Sequence, residues 1–160
     1  MSDPYEETIQ GEMTLRLPPG ARHEQVCARL HATLKASVTD FTSTRLLGIR
    51  ESLKLGGDTI LRPDIALVTT ATGRLWLAAE VVNSEDHRTD TVTKKEVYEM
   101  IKLPRLWMID PRYDNVEVYH ASEYGMKLVT ILAGRDLLAE KLLPEFEISV
   151  AGLFAARGQK

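Results

Sequence analysis

Residues 74–82, RLWLAAEVV, carry apolar side chains at both parities around a single carboxylate, Glu80. Successive strand residues point to opposite faces, so an extended segment of this kind has to be covered on both sides. That requirement admits only layered folds, with packing elements above and below a central sheet. Two shorter apolar runs, Ile65 to Val68 and Leu106 to Ile109, have the same buried character. Pro63 favours an extended start for the first of them, and Thr72-Gly73 marks a turn after it. Beyond the polar stretch NSEDHRTD, residues 91–103 read as a helix with Asp90 as its N-cap and Pro104 as its stop. Strand, helix and strand at this spacing predict two parallel strands joined by a right-handed crossover.

The flanking segments complete a mixed α/β pattern. Residues 9–17 alternate at Ile9, Met13, Leu15 and Leu17, which predicts a first strand closed by Pro18-Pro19-Gly20. Residues 22–38 form a helical stripe through Val26, Cys27, Leu30, Leu34 and Val38. Residues 45–55 read as extended, and Gly56-Gly57-Asp58 as a turn. That turn does not resemble a phosphate cradle, since no Lys-Ser/Thr follows and no helix opens there. After Asp110-Pro111, the segments NVEVYH, MKLVTIL and FEISV predict an antiparallel meander. The expected architecture is a single α/β (α+β mixed sheet) domain over residues 1–160 with two main helices.

Composition narrows the functional classes. At 160 residues, 44% hydrophobic and 27% charged, the chain suits an ordinary globular core. No apolar run approaches the length of a membrane span, and the opening MSDPYEETIQ is too acidic and polar for a signal peptide. Cys27 is the only cysteine, which points to a reducing cytoplasm and to a core thiol. The net charge of −3 lacks the basic footprint of a typical nucleic-acid binder. Arg45, Arg50, Lys54, Arg62, Arg74 and Arg88 could still form a local basic rim, or simply be scattered surface charge. Trp76 and Trp107 are assigned to the core. His87 falls in a polar loop, and His31 and His120 lack metal-ligand spacing.

Three positions break the packing pattern. Glu80 lies inside an apolar strand, where an unpaired carboxylate costs several kcal/mol; an edge position or an arginine partner is the plain alternative. Asp64 opens IALV, a place where turn chemistry alone often puts aspartate. Lys94 shares a helical face with Val97, Tyr98 and Ile101, and so leans towards the sheet unless it snorkels out. Lys95 instead pairs with Glu99 on the outer face. Together, two carboxylates and a lysine could converge on a hard Mg²⁺-type cation. Such an ion polarises a phosphoryl oxygen and lowers the pKa of bound water.

Pro63-Asp64, the strand-borne Glu80 and the displaced Lys94 resemble the PD-(D/E)xK nuclease superfamily, and more closely the Uma-two family of restriction-endonuclease-like proteins. The resemblance spans nearly the whole chain: YEETIQGEMTLRLPPGARHEQV, RPDIALV, AEVVNSEDHRTDTVTKKEVY, LPRLWMIDP, NVEVYH and LLPEFEISVAGLF follow in order. It implies a restriction-endonuclease-like fold and Mg²⁺- or Mn²⁺-dependent hydrolysis of DNA. Asp64 and Glu80 would hold the metal together with the backbone carbonyl of Val81, and Lys94 would replace the lysine that the parent motif places where Val82 stands. Glu6, His23 and Tyr98 would lie near the pocket. The family's Ser-Pro-Ser after the strand glutamate appears here as Asn83-Ser84-Glu85, and its Gly-Val-Pro-Glu-Tyr-Trp stretch as residues 102–107, KLPRLW. Two other functions stay open: a catalytically inactive domain that binds nucleic acid or a protein partner, and a hydrolase of another phosphoester. The late strands could leave a sheet edge free, so a homodimer is expected.

Overall fold

The computed structural model describes residues 3–82 and 92–155. A hairpin opens the chain, with β1 (Tyr5–Ile9) and β2 (Glu12–Arg16) paired antiparallel. The single strand expected over 9–17 is therefore two, because Gln10 and Gly11 both take positive φ, at 52° and 83°. Two consecutive residues in that region make the tight turn whose twist matches paired strands. Met13 and Leu15 face solvent from β2, while Arg16 is buried.

Helix α1 (Ala21–Val38) follows the predicted boundaries within one residue. Next come the short strands β3 (Thr44–Leu46), β4 (Leu53–Lys54) and β5 (Ile60–Leu61), then β6 (Ile65–Thr69) and β7 (Leu75–Val81). The extended reading of 45–55 is interrupted between β3 and β4, where Arg50 adopts φ 55°. Helix α2 (Lys94–Met100) is shorter than the predicted 91–103. It ends because Lys102 turns to φ 55° and the Leu103 N–H caps the Tyr98 carbonyl at 3.0 Å. The proposed Asp90 cap lies outside the described residues, as do His87, Arg88 and the 83–85 loop.

The remaining elements are β8 (Arg105–Asp110), β9 (Asn115–Ser122), β10 (Gly125–Ala133), β11 (Leu137–Glu140), β12 (Leu143–Ser149) and the short α3 (Val150–Phe154). The main sheet runs β10-β9-β8-β7-β6-β3. Among the described residues of this sheet only β7 and β8 pair parallel, across α2, as the crossover pattern predicts; the other pairings are antiparallel. A smaller sheet runs β2-β1-β5-β4, and β11 pairs with β12.

Strand β7 is covered on both faces, as its composition demands. Leu77, Ala79 and Val81 pack with Val26, Cys27, Leu30 and Leu34 of α1. Ala78 and Val82 pack with Val97, Tyr98 and Leu103 on the α2 side. Alternation then turns Glu80 to the α2 side. Trp107 stacks on Phe146 with centroids 5.5 Å apart, which makes it a core residue. Trp76 is half-buried and donates to Thr44 Oγ1 at 2.8 Å. No helix among the described residues is long and apolar enough to cross a membrane.

Candidate active site

Asp64 sits immediately before β6, and antiparallel pairing of Ile65 with Ala79 brings it beside the end of β7. The Val81 N–H donates to Asp64 Oδ2 at 2.8 Å, which locks the carboxylate next to Glu80's strand. Arg50 Nη1 reaches Oδ1 at 3.0 Å, and His23 Nε2 lies 3.3 Å from Oδ2. The other guanidinium nitrogen of Arg50 bonds Glu24. Burial pushes the Asp64 carboxyl up, but the hydrogen bond and charge of His23, the charge of Lys94 and the Val81 N–H outweigh it and bring it down to about 2. For His23, burial disfavours the charged ring, yet Asp64 prevails and raises it above its ordinary value.

Glu80 and Lys94 are each 1% exposed. Lys94 does not snorkel out; its Nζ bridges Glu80 Oε1 at 3.0 Å and Glu7 Oε2 at 2.9 Å. Tyr98, one turn further along α2, donates its hydroxyl to Glu80 Oε2. Burial and the Glu80 charge hold the Tyr98 hydroxyl protonated, well above its ordinary value. Glu7 is completed by Arg16 Nε at 2.8 Å and the Arg62 backbone N–H at 2.7 Å. The site thus has two linked chains of charge, Glu24–Arg50–Asp64–His23 and Arg16–Glu7–Lys94–Glu80–Tyr98. Tyr5 lies between them: burial first, then the charges of Asp64, Glu80 and Glu7, push its hydroxyl up against the opposing pull of Lys94.

Of the residues expected from sequence, Asp64, Glu80, Val81, Lys94, His23 and Tyr98 converge here. Glu6 does not. It is exposed, and its neighbour Glu7 takes the buried place, because β1 alternates and Tyr5 and Glu7 share the inward face. The sequence assigns no site role to Glu7, Tyr5 or Glu24, although the two-residue alternation of β1 is a signal for both Tyr5 and Glu7. Arg50, which the sequence groups with the rim charges, closes directly on Asp64.

Lys94 meets carboxylate oxygens of Glu7 and Glu80, whereas Asp64 is met by Arg50, His23 and the Val81 N–H. Carboxylate oxygens are the donors that a hard divalent cation such as Mg²⁺ or Mn²⁺ takes, so Asp64 and Glu80 suit that ion by their chemistry. The group of possible ligand atoms that lies within 4.8 Å among the described residues is His23, Cys27 and Asp64.

Fold and site together define a restriction-endonuclease-like α/β domain. The solved structure of "a putative nuclease belonging to DUF820" from Anabaena variabilis ATCC 29413 superposes with a TM-score of 0.79 at 16% identity, covering 96% of this chain and 92% of that one. A family model described as "Putative restriction endonuclease" matches residues 2–151, and the chain belongs to this Uma2 (Uma-two) family. Among curated proteins none matches.

Proposed function

We propose that the chain is a Mg²⁺- or Mn²⁺-dependent endonuclease that hydrolyses DNA phosphodiester bonds, working as one domain over residues 1–160. The observation that carries this reading is Glu80: a carboxylate buried in the central strand, bracketed by Lys94 and Tyr98 and followed by Val81, whose N–H holds Asp64. Burying that many charges for stability alone is a poor bargain, since apolar residues of similar volume serve as well or better.

Asp64, Glu80 and the Val81 carbonyl would hold the ion, which when bound polarises a phosphoryl oxygen and activates water. The protein's own groups do the rest. Tyr98 fixes the rotamer of Glu80, and the Val81 N–H fixes that of Asp64. Lys94, held between Glu7 and Glu80, places a positive charge where negative charge develops on the phosphate. Arg50 and Arg62 supply further positive charge beside Asp64, and Arg62 is tied to the loop by its bond to the Arg50 carbonyl at 3.3 Å.

A second reading has its own support. Lys94 and Arg50 already neutralise the carboxylates, as they would in a catalytically inactive domain that binds nucleic acid or a protein partner. Mn²⁺ titration by calorimetry, alongside plasmid nicking, separates the two for the wild type, Asp64→Ala and Glu80→Ala. Binding and nicking that disappear together in both variants support hydrolysis. A folded wild type that neither binds Mn²⁺ nor nicks leaves the inactive domain as the better account. A homodimer is also part of this proposal, supported by the edge strand β10, where Leu128, Val129 and Ile131 are exposed. Sedimentation equilibrium tests it. A cytoplasmic setting accords with the single, free cysteine.

A further inference from the structure

His23 and Cys27 stand one turn apart on α1, so helical geometry puts them on one face, and that face meets Asp64. Their donor atoms all lie within 4.8 Å of one another, and all three residues are buried. Cys27 Sγ is 3.6 Å from His23 Nδ1. Two ligands on one zinc ion, with Zn–S of about 2.3 Å and Zn–N of about 2.0 Å at a tetrahedral angle, are about 3.5 Å apart. The Cys27–His23 spacing therefore approaches that of a shared ion, while Asp64 lies within the same 4.8 Å group with its closest approach, 3.3 Å, to His23 Nε2, so a modest turn of the ring would complete the set. One sulfur, one nitrogen and one oxygen form a donor set unlike the oxygen-only set around Lys94. It selects Zn²⁺ and similar borderline metals over Mg²⁺.

The surroundings can carry such an ion. Arg50 Nη1 lies 3.9 Å from Cys27 Sγ; burial and the Asp64 charge push the thiol up and Arg50 opposes them only in part, so the thiolate would form on metal binding, with release of its proton. With Cys27 ionised, the negative charges of Cys27, Asp64 and Glu24 balance those of Arg50 and a divalent ion. Glu24, with its side chain 31% exposed, marks the polar side from which an ion would arrive.

We propose that His23, Cys27 and Asp64 form a site for a thiophilic divalent cation of the Zn²⁺ class, which shares Asp64 with the hydrolytic metal and excludes it. The exclusion rests on the function proposed above; the sulfur-containing site does not. Asp64 Oδ1 already accepts from Arg50 and Oδ2 from the Val81 N–H, so a carboxylate engaged by an ion on the His23–Cys27 side is not free to hold a second ion on the Glu80 side.

Co²⁺ is the test ion, because thiolate ligation gives it a near-ultraviolet charge-transfer band. The band is expected in the wild type and in Glu80→Gln, and is expected to be lost in Cys27→Ser and reduced in His23→Gln, which spares the core thiol. Saturating Zn²⁺ should weaken Mn²⁺ binding at least tenfold more in the wild type than in Cys27→Ser, where only direct competition for the oxygen ligands remains. A folded wild type without the band, a band that persists in Cys27→Ser, or Zn²⁺ competition of equal size in the two proteins overturns the proposal. A wild type that shows the band but binds no Mn²⁺ supports the thiophilic site and refutes both the hydrolytic metal and the competition.

Discussion

Replacing Asp64 by Asn removes one charge from the site while preserving the shape that accepts the Val81 N–H. The folded protein holds this carboxyl at about 2, against an ordinary value of 3.8. A depression of nearly two units, at about 1.4 kcal/mol per unit, corresponds to about 2 kcal/mol of stability. The folded value lies below the unfolded one, so this contribution is complete above the unfolded value and is lost as the pH falls from 3.8 towards 2. His23 adds a second boundary with the opposite sign. Its folded value is raised above 6.5, so its share is present below 6.5 and is lost as the pH rises through the folded value. Since His23 is also the foremost group drawing Asp64 down, the Asn variant should differ most from the wild type at about pH 5.5, where both partners are charged. Urea unfolding of the two proteins should show a gap of about 2 kcal/mol at about pH 5.5, smaller at about pH 8 and smallest at about pH 2.5. A gap of constant size across that range would refute the reasoning, because it would place the cost in packing rather than in ionisation.

Other expectations follow from neighbouring contacts. Lys94→Met leaves Glu7 and Glu80 facing one another inside the protein, and should cost about 3–5 kcal/mol in thermal unfolding, with part recovered by adding Glu80→Gln. A loss below about 1 kcal/mol would mean that the two carboxylates find other partners. Tyr98→Phe removes the hydroxyl that Glu80 accepts, and should cost about 2 kcal/mol in urea unfolding, the range for a hydrogen bond to a charged group. Trp107 Nε1 has no hydrogen-bond partner among the described residues. Trp107→Phe keeps an aromatic ring against Phe146 and discards that donor, so it should cost under about 1.5 kcal/mol, whereas Trp107→Ala should cost about 3–5 kcal/mol. Equal losses in the two variants would contradict this account.

What could be read from the sequence was what depends on near neighbours along the chain. The two-sided apolar run around Glu80 foretold a strand covered on both faces, and the stripe from Val26 to Val38 foretold α1 almost to the residue. Lys94 betrayed itself by sharing a helical face with Val97 and Tyr98. The same local periodicity places Glu7 rather than Glu6 inside once residues 5–9 are taken as a strand paired with 12–16; the turn between them is hidden in the sequence because Gln10 is an ordinary residue in an unusual conformation. Only the tertiary structure brought Arg50 onto Asp64, seated Lys94 between two carboxylates from different strands, and set Cys27 beside His23 and Asp64. Those contacts join α1, β1, the segment before β6, β7 and α2. Periodicity reports the face on which a side chain lies, whereas its partner across the core depends on how strands pair and how helices cross them.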